Sequence, residues 1–373
     1  MSMTGAENAI TDVTGLSVGH HERVGSGWAT GSTVVLVPDG AVCGVDGRGG
    51  APGTRETDLL APQNLVQQVH GICLSGGSAY GLAAADGVMR WLGERAYGFA
   101  VGAQPHEVVP IVPAAVVFDL PRSDWGNRPD AEFGYRACQG AAPGPVAQGC
   151  VGAGAGAKVG SLKGGVGTAS AIVPGPGAQT GEAQTGEAQT GEPRLTVGAL
   201  AVVNALGEAV DTATGRPWTA ECELAGEFGG GAWPSREGDL SSGDGGHSGG
   251  HSGSHAGGDS RPLNTTIGVV ATDAALTKAE CQRLAMSAQD GIARAVRPAH
   301  SMFDGDTVFA LGTGAHELPE GSGPFGSAAR AAALDQLCAA AATCFSRAMV
   351  HGLLRAEGTA GLPAYRDVWP EVY

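Results

Sequence analysis

The chain has 373 residues, 42% of them hydrophobic, which is enough apolar material for a buried core and excludes a disordered polymer. Its 22 lysines and arginines against 37 aspartates and glutamates leave a net charge of −15, which repels phosphate backbones, so no nucleic-acid partner is expected. Met1 to Val13 carries neither a basic segment nor an unbroken apolar stretch, and no apolar run elsewhere is read as reaching the ~20 residues that span a bilayer; a cytoplasmic protein without membrane contact is expected.

Up to Val173, short β-rich runs alternate with helical stretches, the pattern of a layered α/β fold. Predicted strands are Ser32–Val37, Ala41–Val45, Gly71–Ser75 and Ile111–Asp119. Predicted helices are Pro62–Val69, with proline at a start position, and Ser78–Arg95, opened by a serine able to cap it. Strands Val166–Val173 and Leu195–Ala205 follow, apolar on consecutive residues as in sheets covered on both faces.

Two segments break this order. Ala178–Glu192 reads AQTGE three times, too short and polar a unit for a solenoid, and is expected to be a loop expansion between strands. Ser235–Ser260 is almost entirely Gly, Ser, Asp and His and is expected to be disordered, because it lacks the apolar area that offsets the entropy of ordering. Beyond Pro262 the pattern resumes with a strand at Thr265–Thr272, a helix at Lys278–Val296, a strand at Thr307–Leu311 and an alanine-rich helix at Gly326–Arg355. A glycine-rich tail therefore ends directly before a core strand. The eight cysteines are dispersed without a Cys-x-x-Cys pair and are expected to be buried thiols.

The junction is Asn264–Thr265. A threonine at a chain start is a compact catalyst: its hydroxyl attacks, and its own α-amine, with a pKa of ~7.7–8.0, serves as base. Before any cut that amine is a peptide nitrogen, so the hydroxyl would first attack the Asn264 carbonyl and shift the acyl group from nitrogen to oxygen. Taken alone, an Asn-Thr pair also reads as an ordinary strand start.

The segment Asn264-Thr-Thr-Ile-Gly-Val-Val-Ala-Thr-Asp273 resembles the cleavage segment of the DmpA family of L-aminopeptidase/D-esterase/amidases, above all its nylon-oligomer hydrolase branch. Five further stretches match in order: Asn8–His20, Leu74–Leu82, Leu162–Ser170, Val202–Gly207 and Phe303–Phe309. The resemblance covers nearly all of the chain except the two inserts. It implies a four-layer αββα sandwich like those of N-terminal-nucleophile hydrolases and ornithine acetyltransferases. It further implies cleavage into residues 1–264 and 265–373, assembly of such pairs, here expected as a homotetramer, and no cofactor.

Site roles follow from the same resemblance. Lys163 matches the active-site lysine, and a cation near the Thr265 α-amine would disfavour its protonation and so keep it available as a base. Asn204 matches the asparagine that donates to the oxyanion. Asp304 and Asp306 match the paired acids of the nylon-hydrolase branch; at i and i+2 of an extended segment both carboxylates would face Thr265 and hold its amine and hydroxyl. Without the resemblance, Lys163 reads as a surface lysine, Asn204 as a strand end and Asp-Gly-Asp as a turn.

Weaker signals are set aside. Gly152-x-Gly-x-Gly156 with Lys158 lacks the rest of a phosphate loop. His247, His251 and His255 are spaced by four in glycine-rich chain with no preformed metal geometry, so no metal site is expected. Tyr80 and the Ser75–Ser78 turn are pocket candidates that the sequence does not place. The expected function is aminopeptidase-like hydrolysis of small peptides or peptide-like amides. Nylon-oligomer-like or pantetheine-like amides, acyl transfer to ornithine, and a scaffold that has lost the chemistry remain as alternatives.

Overall fold

The structure, a computed structural model, describes residues 3–174, 194–231, 233–234, 236–238, 263–319 and 328–372. Its organising element is strand β2, Trp28–Gly47, which follows β1, Ser17–Gly25. The sequence pattern indicates two strands where β2 runs unbroken; the register shifts between Leu36 and Ala41, and Gly40, at φ +89°, takes the left-handed conformation that the bend requires. The two halves of β2 thereby serve two leaves of one continuous nine-stranded sheet. The first half pairs with β1 and with β3, Gln68–Ser75, which continues past the bend to Ala41 and Val42; beyond β3 lie β4, Ala114–Val116, and the short strand Thr54–Arg55. The second half pairs with a set composed of β5, Val166–Pro174, β6, Arg194–Val202, β7, Ile267–Ala274, and β8, Thr307–His316. Strands β5, β6 and β7 are antiparallel neighbours, while β7 and β8 run parallel.

Alternation along these strands builds the layers. Ile267, Val269 and Ala271 of β7, Leu200 and Val202 of β6, and Phe309 and Leu311 of β8 meet Val35, Ile72 and Leu74 in a core between the sheets. The opposite faces, carrying Val270, Ala199 and Val308, pack on helices α3, Lys278–Ala295, and α4, Ala328–Leu354. On the far side Val34, Leu36 and Cys73 pack under α1, Ala84–Gly93, with Ala137 and Cys138 of α2, Ala131–Gln139. Helix, sheet, sheet and helix form the four-layer αββα sandwich. The consecutive apolar runs arise because both faces of the central strands are buried.

Several sequence expectations are corrected. Pro62–Val69 is not a helix: the carbonyls of Leu59, Asn64 and Val66 all accept from the buried ammonium of Lys278, and β3 already begins at Gln68. The Ser78–Arg95 helix is a 3-10 turn, Ser78–Ala83, followed by α1. Ser78 does not cap it, being itself left-handed at φ +51° behind Gly77 at +80°. Only Ala114–Val116 of the Ile111–Asp119 stretch joins the ladder, since Pro113 lacks an N–H. Strand β1 and helix α2 are additions to the sequence-based elements, and Asp130 caps α2 by accepting from Glu132 and Phe133 N–H. By length and composition α4 could cross a bilayer, contrary to the sequence reading; here its residues lie buried against β5 and β6.

All eight cysteines are free, six of them buried and Cys150 and Cys222 half-buried. Ala178–Glu192 and most of Ser235–Ser260, including His247, His251 and His255, lie outside the described residues. Residues 236–238, at the front of the second stretch, are described. Arg236 pairs with Glu371 at 2.8 Å, and the Trp369 indole N–H donates to the Arg236 carbonyl at 3.2 Å.

Candidate active site

Strand register brings the separated candidates to one sheet edge. Ile267 of β7 is opposite Val202 of antiparallel β6 and Thr307 of parallel β8, so the end of β6 and the starts of β7 and β8 coincide. Val166, opening β5, is opposite the same Val202. Asn204, Thr265 and the loop preceding Thr307 therefore meet because of topology, not proximity in sequence. An additional parallel bridge joins Asn264 to Asp304.

At that edge the Thr265 hydroxyl donates to the carbonyl oxygen of Asn264, the carbonyl of the peptide bond it would attack. The same oxygen accepts from the Gly305 N–H at 3.1 Å, a donor placed to stabilise negative charge developing there. The Thr265 N–H donates to the Asn204 carbonyl at 2.6 Å, and the Asn264 N–H to the Phe303 carbonyl at 3.0 Å. The Asn264–Thr265 peptide is thus held on both sides by backbone. Thr265 and Asn264 are only 4% and 5% exposed, so the hydroxyl is closed off from solvent.

Asn204 carries a donor without an acceptor. Its Oδ1 accepts from the Lys158 N–H at 2.9 Å, which fixes the amide's orientation, while Nδ2 is buried with no hydrogen-bond partner among the described residues. A buried amide donor is costly to leave unsatisfied, which fits a group aimed at charge that appears during reaction.

The two acids do not hold Thr265 itself, contrary to the sequence expectation. Asp306 Oδ1 accepts from the Thr266 N–H at 2.8 Å, and its Oδ2 faces His300 Nδ1 at 2.8 Å. Asp304 Oδ1 accepts from the Leu206 N–H at 3.1 Å, and its Oδ2 takes the Ser301 hydroxyl and N–H. One acid therefore anchors the residue after Thr265 and the other the loop after Asn204. Burial pushes the Asp304 carboxyl up; the Ser301 hydroxyl pulls it down and the Asp306 charge adds to the rise. Asp306 acts one residue away from Thr265, whose own N–H already donates to the Asn204 carbonyl.

Lys163 is fully buried, not a surface lysine, yet its Nζ donates to the carbonyls of Gly154 and Gly164, both at 2.7 Å, with no bond to Thr265. Burial depresses its pKa to about 8, with the Cys150 thiol and Asp119 opposing. Asp119 is itself pushed up to about 6 by burial and accepts from the Gly77 N–H and the Thr30 hydroxyl, both at 2.6 Å. The Leu74–Leu82 stretch thus connects to the surroundings of Lys163. Tyr80 is half exposed and stacks its ring on the Arg128 guanidinium.

Sequence reasoning misses three participants. Gly305 contributes only its backbone N–H, which no side-chain pattern reveals. His300 and Ser301 hold the two acids, and their signal is their closeness to Asp-Gly-Asp. Glycine is required at 305, where an added Cβ would lie 2.5 Å from the Ala51 carbonyl oxygen and 2.8 Å from the Thr265 hydroxyl.

Comparison with known proteins identifies the family. The profile of peptidase family S58 matches residues 8–365. An uncharacterized aminopeptidase of Mycobacterium tuberculosis is 50% identical over 98% of this chain and 99% of its own length. A 6-aminohexanoate-oligomer endohydrolase of a Kocuria species is a more distant relative, 30% identical over 85% of this chain and 78% of its own. Among solved structures, the Ochrobactrum anthropi L-aminopeptidase D-Ala-esterase/amidase, described as a variant of the Ntn hydrolase fold, superposes with TM-score 0.69 at 22% identity, covering 99% of this chain and 91% of that one. A Burkholderia β-aminopeptidase gives TM-score 0.66 at 24% identity, over 98% and 92%. Fold, site and sequence agree that the chain belongs to peptidase family S58 and is a peptide-bond hydrolase.

Proposed function

We propose that the chain cuts its own Asn264–Thr265 bond and then, through Thr265, releases amino-terminal residues from small peptides or peptide-like amides. The observation that carries this reading is the Thr265 hydroxyl on the Asn264 carbonyl with the Gly305 N–H at 3.1 Å on the same oxygen. The hydroxyl adds to the Asn264 carbonyl carbon, the C–N bond breaks, the nitrogen takes the proton, and water resolves the ester. Cleavage frees an α-amine beside the hydroxyl and lets the 263–264 end move off the nucleophile. In turnover that amine removes the hydroxyl proton, an acyl-Thr265 ester forms, and water releases it. Asn204 Nδ2 supplies a donor for the oxyanion, while Asp304 and Asp306 hold the flanking backbone. Lys163, buried with a pKa of about 8, holds the Gly154 and Gly164 carbonyls and is assigned no step.

Thr265→Ala is expected to abolish both self-cleavage and hydrolysis of an amino-acid p-nitroanilide, while Thr265→Ser retains part of both. Anilide turnover by uncleaved Thr265→Ala protein would place the nucleophile elsewhere. A second reading, hydrolysis of nylon-like oligomers, draws on the Asp-Gly-Asp pair and the relatives at 30% identity. Incubation with 6-aminohexanoate oligomers distinguishes it from the aminopeptidase reading.

A further inference from the structure

His300, which holds Asp306 at this edge, has as yet no part in the chemistry. Its backbone is left-handed, at φ +56°, a conformation that histidine, asparagine and aspartate adopt more readily than most non-glycine residues. That conformation turns two of its donors onto one atom: the His300 N–H reaches Asp306 Oδ2 at 3.2 Å and Nδ1 reaches the same oxygen at 2.8 Å. Since a carboxylate only accepts, Nδ1 carries the proton. The other ring nitrogen, Nε2, is buried without a partner among the described residues, so a single ring atom makes the contact. Asp306 passes the constraint on, because its Oδ1 takes the Thr266 N–H, the amide adjoining Thr265. Asp306 also directly follows Gly305 in the chain, so fixing the acid fixes the Gly305 N–H against the Asn264 carbonyl.

We propose that His300 is a positioning residue for self-cleavage and turnover, acting through Nδ1–H on Asp306 to align Thr265 and the Gly305 amide. This rests on the proposed function, since it assumes that Thr265 is the nucleophile. His300 touches neither the scissile bond nor the hydroxyl, and its effect is geometric.

The geometry makes an atom-specific test possible. An asparagine side-chain nitrogen falls where Nδ1 lies, whereas that of glutamine falls nearer Nε2. Full-length His300→Asn, His300→Gln and His300→Ala are compared for the rate at which fragment 265–373 appears, for kcat and KM of the processed enzyme on an amino-acid anilide, and for Tm. His300→Asn is expected to keep both rates within about threefold, whereas Gln and Ala lower both by ~10–100-fold with KM nearly unchanged, the scale expected for misplacing a reacting group. Should His300→Ala fail to fold, the Asn and Gln variants decide the matter. Equal losses in Asn and Gln, or losses in KM or Tm without a loss in kcat, would overturn the proposal. Failure of the underlying reading looks different: wild-type protein would be active but uncut, and Thr265→Ala would keep its turnover.

Discussion

Asn204 shows how one side chain is assigned two tasks by its two atoms. Its Oδ1 is committed to the Lys158 N–H, so Nδ2 is left as an oriented donor. Asn204→Ala is expected to lower kcat by ~10²–10³, the cost of removing an oxyanion donor. Asn204→Asp keeps the acceptor for Lys158 but lacks the donor; full activity in that variant would remove Asn204 from the chemistry. Gly305→Ala brings a methyl group against Thr265, and the 265–373 fragment should appear slowly or not at all on a gel. Lys163 allows a check on pH. Its folded pKa of about 8 lies below the ordinary 10.5, so between these values the unfolded chain binds more protons than the folded one. The lysine's contribution to stability therefore rises as pH climbs from about 8 to 10.5, and urea midpoints of Lys163→Met should lack that rise.

At the scale of elements, a buried ion pair connects parts that the sequence leaves far apart. Arg347 of α4 is fully buried; its guanidinium meets Glu227 Oε1 at 2.5 Å, reaches Asn8 Oδ1 at 2.8 Å and the Ser170 carbonyl of β5 at 2.7 Å, while His351 meets Glu227 Oε2 at 2.8 Å. Burial raises the Glu227 pKa, but the bonds from His351 and Arg347 outweigh it and depress the carboxyl to about 2, against an ordinary 4.5. The stability this gives is present above pH 4.5 and lost as pH falls from 4.5 towards 2. Glu227→Gln leaves the Arg347 charge uncompensated and should cost roughly 3–5 kcal/mol in urea unfolding at neutral pH, with little effect on kcat. A cost near zero would show that water replaces the pair. Strands such as Val166–Val173 are legible in the sequence because both their faces are buried and their residues are apolar throughout. Strand β1, reading SVGHHERVG, is not, since its outer positions are polar and its pairing is set by contacts outside the strand. The Pro62–Val69 error has the same root: Lys278, over 200 positions away, takes the carbonyls that a helix would use.

The whole molecule places the end of one strand, the starts of two others and the 300–306 loop at a single edge. Thr265, Asn204, Asp304 and Asp306 are legible as candidates through resemblance, and the register of β6, β7 and β8 explains why they meet. What the sequence withholds is the division of labour: the acids bind backbone next to Thr265 and after Asn204, and Lys163 turns towards Gly154 and Gly164. These contacts depend on the direction of individual atoms, which no residue pattern encodes. Under the proposed function, the burial of Thr265 predicts an order of events, with the cut preceding access for substrate. Intact-mass analysis with amino-terminal sequencing of purified, active protein tests that order most directly. Two chains, the second beginning Thr265-Thr266-Ile267, are expected; active protein consisting of one uncut chain with only its original amino terminus would contradict the account.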